Sequence, residues 1–137
     1  MSEENRAMFR KFVDAMNNKD TSIVVDLLAD NYVDHDAPPG FPPGAQGMKD
    51  MMEMFFTAFP DLKITINQLV AEGDIVVGAM TSAGTQTGDF MGIPPSGKKM
   101  SITEMHMVCV ADGKAVEHWG AADSMTMMQQ IGAMPSE

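Results

Sequence analysis

The sequence predicts an α+β domain in which N-terminal helices pack on one side of a curved antiparallel sheet. Three observations carry this. Helical spacing of apolar residues dominates the first 60 positions, and alternating patterns dominate the rest. Two turn signals, Glu72-Gly73-Asp74 and Asp112-Gly113, each sit between alternating runs and read as hairpins. Glycines interrupt the later strands, and long strands interrupted by glycine bend, so that a sheet folded over a helix encloses a cone-shaped space.

In chain order, Ser2, Glu3 and Glu4 form a helix start, and Met8, Phe9, Phe12, Val13 and Met16 recur at helical spacing until Asn17-Asn18. A second helix is expected from a Thr21 or Ser22 cap through Ile23, Val24, Leu27 and Leu28. Asn31 to Asp36, NYVDHD, reads as a short extended piece. The following APPGFPPGAQG has four Pro and three Gly in eleven residues, which suits a stiff rim loop. Met48 to Phe59 is an apolar helix stopped by Pro60. Leu62 to Glu72 and Ile75 to Thr85 form the first hairpin. Gly84 to Gly97 breaks the pattern, and it lacks the Lys and following helix of a phosphate loop. A strand from Lys98 to Ala111 pairs with one from Ala115 to Asp123, and a short helix from Ser124 to Gly132 closes the chain.

Composition excludes several roles. The 137 residues make one domain, 1–137, large enough for a core and a small-molecule cavity. A net charge of -10 with nine scattered basic residues argues against nucleic acid or an anionic membrane as partner. The single Cys109, the lack of a signal-peptide pattern and the lack of an apolar run of about 20 residues point to a cytoplasmic protein. The sixteen Met residues suit an adaptable core or pocket.

The chemistry concentrates in the last hairpin. If Ala111 opposes Lys114, then His106 opposes Trp119 and Glu104 opposes Ala121, and one face carries Glu104, His106, Glu117, Trp119 and Asp123. A one-residue slip would exchange the faces, which makes register the weak joint. Asp123 is either a base with a pKa raised beside Trp119 or the cap of the last helix. His106 is the second candidate, able to donate to an oxyanion or to serve as a structural hydrogen-bonded residue. His35, beside Asp36, is placed at the cavity mouth as a binding residue, and His118 faces the other way. Trp119, Phe90 and Phe56 are either walls of a ligand pocket or core. Glu104 on a closed face needs a partner. A metal site is not expected, because the three His are far apart and lack helical ligand spacing.

Taken together, NYVDHD with its PPG segment, FFTAFPDLKITI, VAEGDIVVGAMTSAGTQTGDFMGIPPSGKKM and ADGKAVEHWGAAD with MMQQIG cover nearly the whole chain. In these pieces the chain resembles the SnoaL-like polyketide cyclases, or ester cyclases, of the nuclear-transport-factor-two-like superfamily. The resemblance implies a cone-shaped α+β barrel, a homodimer or larger homo-oligomer, and a pocket for an apolar small-molecule substrate. It further implies intramolecular aldol chemistry without metal or organic cofactor, with an acid/base Asp that falls on Asp123. The strand EMHMVCV departs from the family's apolar, Arg-containing pattern. A non-catalytic small-molecule-binding protein with the same cavity is the alternative, and a dimeric module with a filled core is a third.

Overall fold

A computed structural model of the chain describes residues 2–37 and 39–134; Pro38, in the expected rim loop, lies outside the described residues. The elements run α1 (Ser2–Asn17), α2 (Thr21–Asp26), β1 (Leu28–Asp34), α3 (Gly44–Ala58), β2 (Lys63–Glu72), β3 (Ile75–Thr85), β4 (Lys99–Ala111), β5 (Lys114–Ala122) and α4 (Ser124–Gln130). The α+β class is as expected. The sheet has order β1-β5-β4-β3-β2, and it is open, with β1 and β2 at its edges.

The fifth strand corrects the four-strand expectation. The second helix stops at Asp26, because the Leu27 carbonyl accepts from Ala115 N–H (2.8 Å) and Leu28 pairs with Ala115. Tertiary pairing thus takes Leu27 and Leu28 away from the helical pattern, and β1 runs parallel to β5, which makes the sheet mixed. The cap of α2 is Asp20, one residue before the Thr21 or Ser22 expected; its carboxylate accepts from Ile23 N–H.

Helix α1 presents Met8, Phe9 and Val13 to the core, as its spacing predicts. Its end is fixed by Asn17, whose amide donates to the Ile64 carbonyl (2.9 Å) and accepts from the Ile64 N–H (2.7 Å), docking the helix on β2. Helix α3 starts at Gly44, four residues before Met48, inside the Pro/Gly stretch. A Cβ on Gly47 would lie 1.9 Å from the Pro42 carbonyl oxygen, so only glycine lets this first turn close over the loop. The segment after β3 is organised by Gln86, fully buried, whose amide donates to the carbonyls of Gly88, Ile93 and Pro94 and accepts from Ser96 N–H. A buried amide needs such partners, and here they are the backbone groups of the irregular segment itself.

The β4–β5 hairpin turns at Asp112 and Gly113, both at positive φ (52° and 75°), the type I′ geometry that Asp-Gly favours. Ala111 opposes Lys114 and Val110 opposes Ala115, but Cys109 then opposes Glu117. Val116 is therefore the extra residue of a β-bulge. From there on the register is one residue away from the regular one. His106 lies opposite Gly120, Val108 opposite His118, and Met107 opposite Trp119.

Candidate active site

That bulge decides which side chains meet. On β4 and β5 the inner face carries Glu104, His106 and Val108 with His118, Gly120 and Ala122; the outer face carries Met105, Met107 and Cys109 with Glu117, Trp119 and Ala121. The inner face closes a cavity of about 580 Å³ with α1 and α3, within the size range of small-molecule sites. Apolar side chains form most of its wall, among them Phe9, Phe12, Met51, Met52, Phe55 and Met80. The polar groups gather at one end: Asp34, Asp36, Ser82, Glu104, His106 and His118.

Four of these groups form a chain of hydrogen bonds. Glu104 Oε1 lies 2.8 Å from His106 Nε2, His106 Nδ1 lies 2.8 Å from His118 Nε2, and His118 Nδ1 lies 2.8 Å from Asp34 Oδ1. The two ring centroids are 5.0 Å apart with planes inclined by 20°. With facing nitrogens at 2.8 Å, that separation means the rings meet edge to edge. His118 is 9% exposed, and the side chains of Asp34 and Glu104 are 10% and 18% exposed.

Burial would raise both carboxylates, yet both are held below their ordinary values. For Asp34 the opposing causes are the hydrogen bond and charge of His118, the Asp36 N–H (2.9 Å) and the Tyr32 hydroxyl. For Glu104 they are the hydrogen bonds of His106 and Ser82. Burial pushes the Tyr32 hydroxyl upward. Asp36 differs: burial and the charges of Asp34 and Glu104 outweigh the two histidines, and its carboxyl sits above the ordinary value. Asp36 also stands at the mouth, with no side-chain hydrogen bond of its own among the described residues and its Oδ2 close to Gly120.

These directions fix a pH dependence of stability. A carboxylate with a folded value below its unfolded one contributes stability above the unfolded value, and the contribution is lost as pH falls through the folded value. Asp34 and Glu104 should therefore make the fold progressively less stable as pH drops below about 4. Asp36 has the opposite sign: its small contribution is present below its unfolded value and is lost as pH rises through its higher folded value. Urea titrations across this range should show a flatter profile in the Asp34→Asn/Glu104→Gln double variant than in the parent.

The structure redistributes the expected site residues. His106 and Glu104 line the cavity, and Glu104 has the partner its burial requires. Asp123 does not project into it. Exposed at the end of β5, Asp123 caps α4 by accepting from Thr126 N–H (3.2 Å), the structural role its position before Ser124 allows. The bulge puts Trp119 on the outer face, stacked on His35 with centroids 4.8 Å apart, and His35 pairs with Glu117 at 2.8 Å. His35 therefore belongs to the outer face, as alternation along β1 requires. Phe90 is core, packed against Phe55 and Phe59, and Phe56 packs against the core with Lys19 over its ring. His118 lines the cavity instead of facing away. Asp34 and Asp36 were legible in NYVDHD, where period-two alternation sets Tyr32, Asp34 and Asp36 on one face and Val33 and His35 on the other. Among the described residues, no group of three or more His, Cys, Asp and Glu is arranged to hold a metal ion, and no helix is long and apolar enough to cross a membrane.

The model of the SnoaL-like polyketide cyclase family matches residues 6–131. The chain belongs to this family. No curated protein matches it significantly. Among solved structures, this SnoaL-like chain is similar to TsrD from Streptomyces laurentii, at 29% identity over 96% of this chain and 97% of that one, with a TM-score of 0.88. It is also similar to IdmH from Streptomyces antibioticus, a candidate polyketide cyclase, at 31% identity over 93% and 98% of the two chains, with a TM-score of 0.82. AclR from Streptomyces galilaeus, a candidate hydroxylase, matches at 28% identity over 98% and 85%, with a TM-score of 0.88. The expected fold family is thus the one found.

Proposed function

We propose that this SnoaL-like protein is a cofactor-independent acid/base enzyme that forms an enolate in a flat, apolar carbonyl compound and closes a ring by intramolecular aldol addition. The observation that carries this is Asp36, which among the described residues is the cavity carboxylate without a side-chain hydrogen bond, held above its ordinary value at the polar end of an otherwise apolar cavity. A raised value strengthens the carboxylate as a base near neutral pH.

The proton balance closes on one group. Asp36 removes a proton from the carbon beside a carbonyl, the enolate carbon forms a C–C bond to a second carbonyl carbon, and the resulting alkoxide takes the same proton back. The histidines at the same end of the cavity stabilise the negative charge that develops. The wall of the cavity contains no Lys or Arg among the described residues but holds Asp34, Asp36 and Glu104, so it favours an uncharged ligand over a free carboxylic acid. Solvent deuterium incorporation beside the carbonyl of 1-tetralone, a flat bicyclic ketone, tests the first half-reaction by proton NMR. Saturable binding with no exchange, in the presence of intact protein, would instead favour the non-catalytic ligand-binding alternative.

The outer face of the sheet fits a second copy of the chain. Val33, Met105 and Val70 are 48%, 49% and 53% exposed and share this face with Met107, Trp119 and Ala121. A contiguous apolar surface of this kind is a liability unless covered. Light scattering should give a homodimer for the parent and a monomer for Met105→Asp, with the cavity unchanged because Met105 points away from it.

A further inference from the structure

The hydrogen-bond chain from Glu104 to Asp34 contains more protons than its groups hold in their ordinary neutral-pH forms. Each of its three contacts, at 2.8 Å, needs one proton between the two heavy atoms. Asp34 and Glu104 are acceptors only when ionised, so His106 Nε2 must donate to Glu104 and His118 Nδ1 must donate to Asp34. If both rings were neutral, these donations would use their only N–H groups. His106 Nδ1 and His118 Nε2 would then face each other at 2.8 Å with a lone pair on each and no proton between them. That arrangement is repulsive, and burial denies it a bridging water's relief at the same contact distance.

We infer that His106 and His118 share a third ring proton, so that the pair is a single buried monocation held between Glu104 and Asp34. The groups that face it support one positive charge. From β1 and the turn after it come Tyr32, Asp34 and Asp36; from β4 comes Glu104; from β3 comes the uncharged Ser82. Helices α1 and α3 contribute apolar side chains to the cavity. No Lys or Arg lines it among the described residues, so the shared proton is the cation available to a developing enolate.

This assignment rests on the proposed reaction only for its use, not for its existence. It gives roles to two residues that the proton transfers do not involve. His118 and Asp34 are positioning residues: Asp34 orients His118 and holds its charge, and His118 presents the shared proton to His106. No proton leaves the pair during the cycle, because Asp36 both takes and returns the substrate proton.

Ring-proton counting by NMR tests this without a substrate. The full chain has three His, so a His35→Gln background leaves only His106 and His118 to observe. In ¹⁵N-labelled protein near pH 7, three of the four ring nitrogens should be protonated. Asp34→Asn keeps the shape and an acceptor oxygen but removes a charge, and the count should fall to two at the same pH. Glu104→Gln gives the same reading from the other end if Asp34→Asn does not fold. A count of two in the parent, or a protonated Glu104 or Asp34 carboxyl in its ¹³C spectrum, overturns the shared cation. A count of three that persists in both variants overturns the positioning role. Asp36→Asn should leave the count at three, so failure of Asp36 as the base and failure of the shared proton are separately visible.

Discussion

Asp36→Asn should lower deuterium exchange into 1-tetralone by about 10²- to 10⁴-fold, the range that a positioned general base contributes. Binding of the ketone and the melting profile should stay close to the parent's. Asn has nearly the same shape, Asp36 accepts no side-chain hydrogen bond that would be lost, and the residue stands at the mouth outside the packed core. The comparison that gives this experiment its force is Asp123→Asn. Asn caps a helix as well as Asp does, so α4 should hold, and Asp123 is not among the residues that line the cavity. Exchange at the parental rate in Asp123→Asn, with loss in Asp36→Asn, locates the chemistry at the β1 end of the cavity. The reverse pattern would return the acid/base role to the end of β5 and end the case for Asp36.

Gly120→Ala is the second variant with a large expected effect. A Cβ at this position would lie 2.7 Å from His106 Nδ1 and 2.9 Å from Asp36 Oδ2, and both distances are shorter than nonbonded carbon contacts allow. The methyl group must therefore displace one of the two groups on which the proposed reaction depends. Misplacement of a reacting group by about 1 Å typically costs on the order of 10² in rate. We expect kcat to fall by about that factor, with KM much less affected, since most of the apolar wall is untouched. The fold should tolerate the change, because Ala suits a strand at least as well as Gly and the methyl meets side-chain atoms of His106 and Asp36, not backbone. Parental kcat in Gly120→Ala would mean that neither His106 nor Asp36 acts at the distance proposed.

Both variants turn on features of differing legibility. The helices, the two hairpins and the Asp112-Gly113 turn follow from local patterns, because spacing and positive-φ residues act within a few positions. Asp34 and Asp36 were within reach of the same reasoning, since alternation in NYVDHD separates them from His35 once the segment is treated as a strand. Reading it as a short extended piece lost that information. The parallel pairing of β1 with β5 joins residues more than 80 positions apart, and no local pattern encodes it. The cap role of Asp123 was visible as one of two possibilities. The structure shows the cap, with the carboxylate accepting from Thr126 N–H.

The bulge at Val116 is the clearest case of what local pattern leaves open. Glu117, His118, Trp119 and Gly120 form an alternating run that fits either face equally well, and a regular ladder from the turn would place Trp119 inside and His118 outside. One extra residue reverses this. The amino-acid sequence alone determined the α+β class, the family, the two hairpins and the placement of Glu104 and His106 on one face of the last one. Only the tertiary structure decided that His118, Asp34 and Asp36 join them while Trp119, His35 and Asp123 do not. The physical reason is that side chains alternate with a period of two along a strand, so a single unpaired residue, stabilised by contacts distant in sequence, exchanges every side chain beyond it between core and solvent.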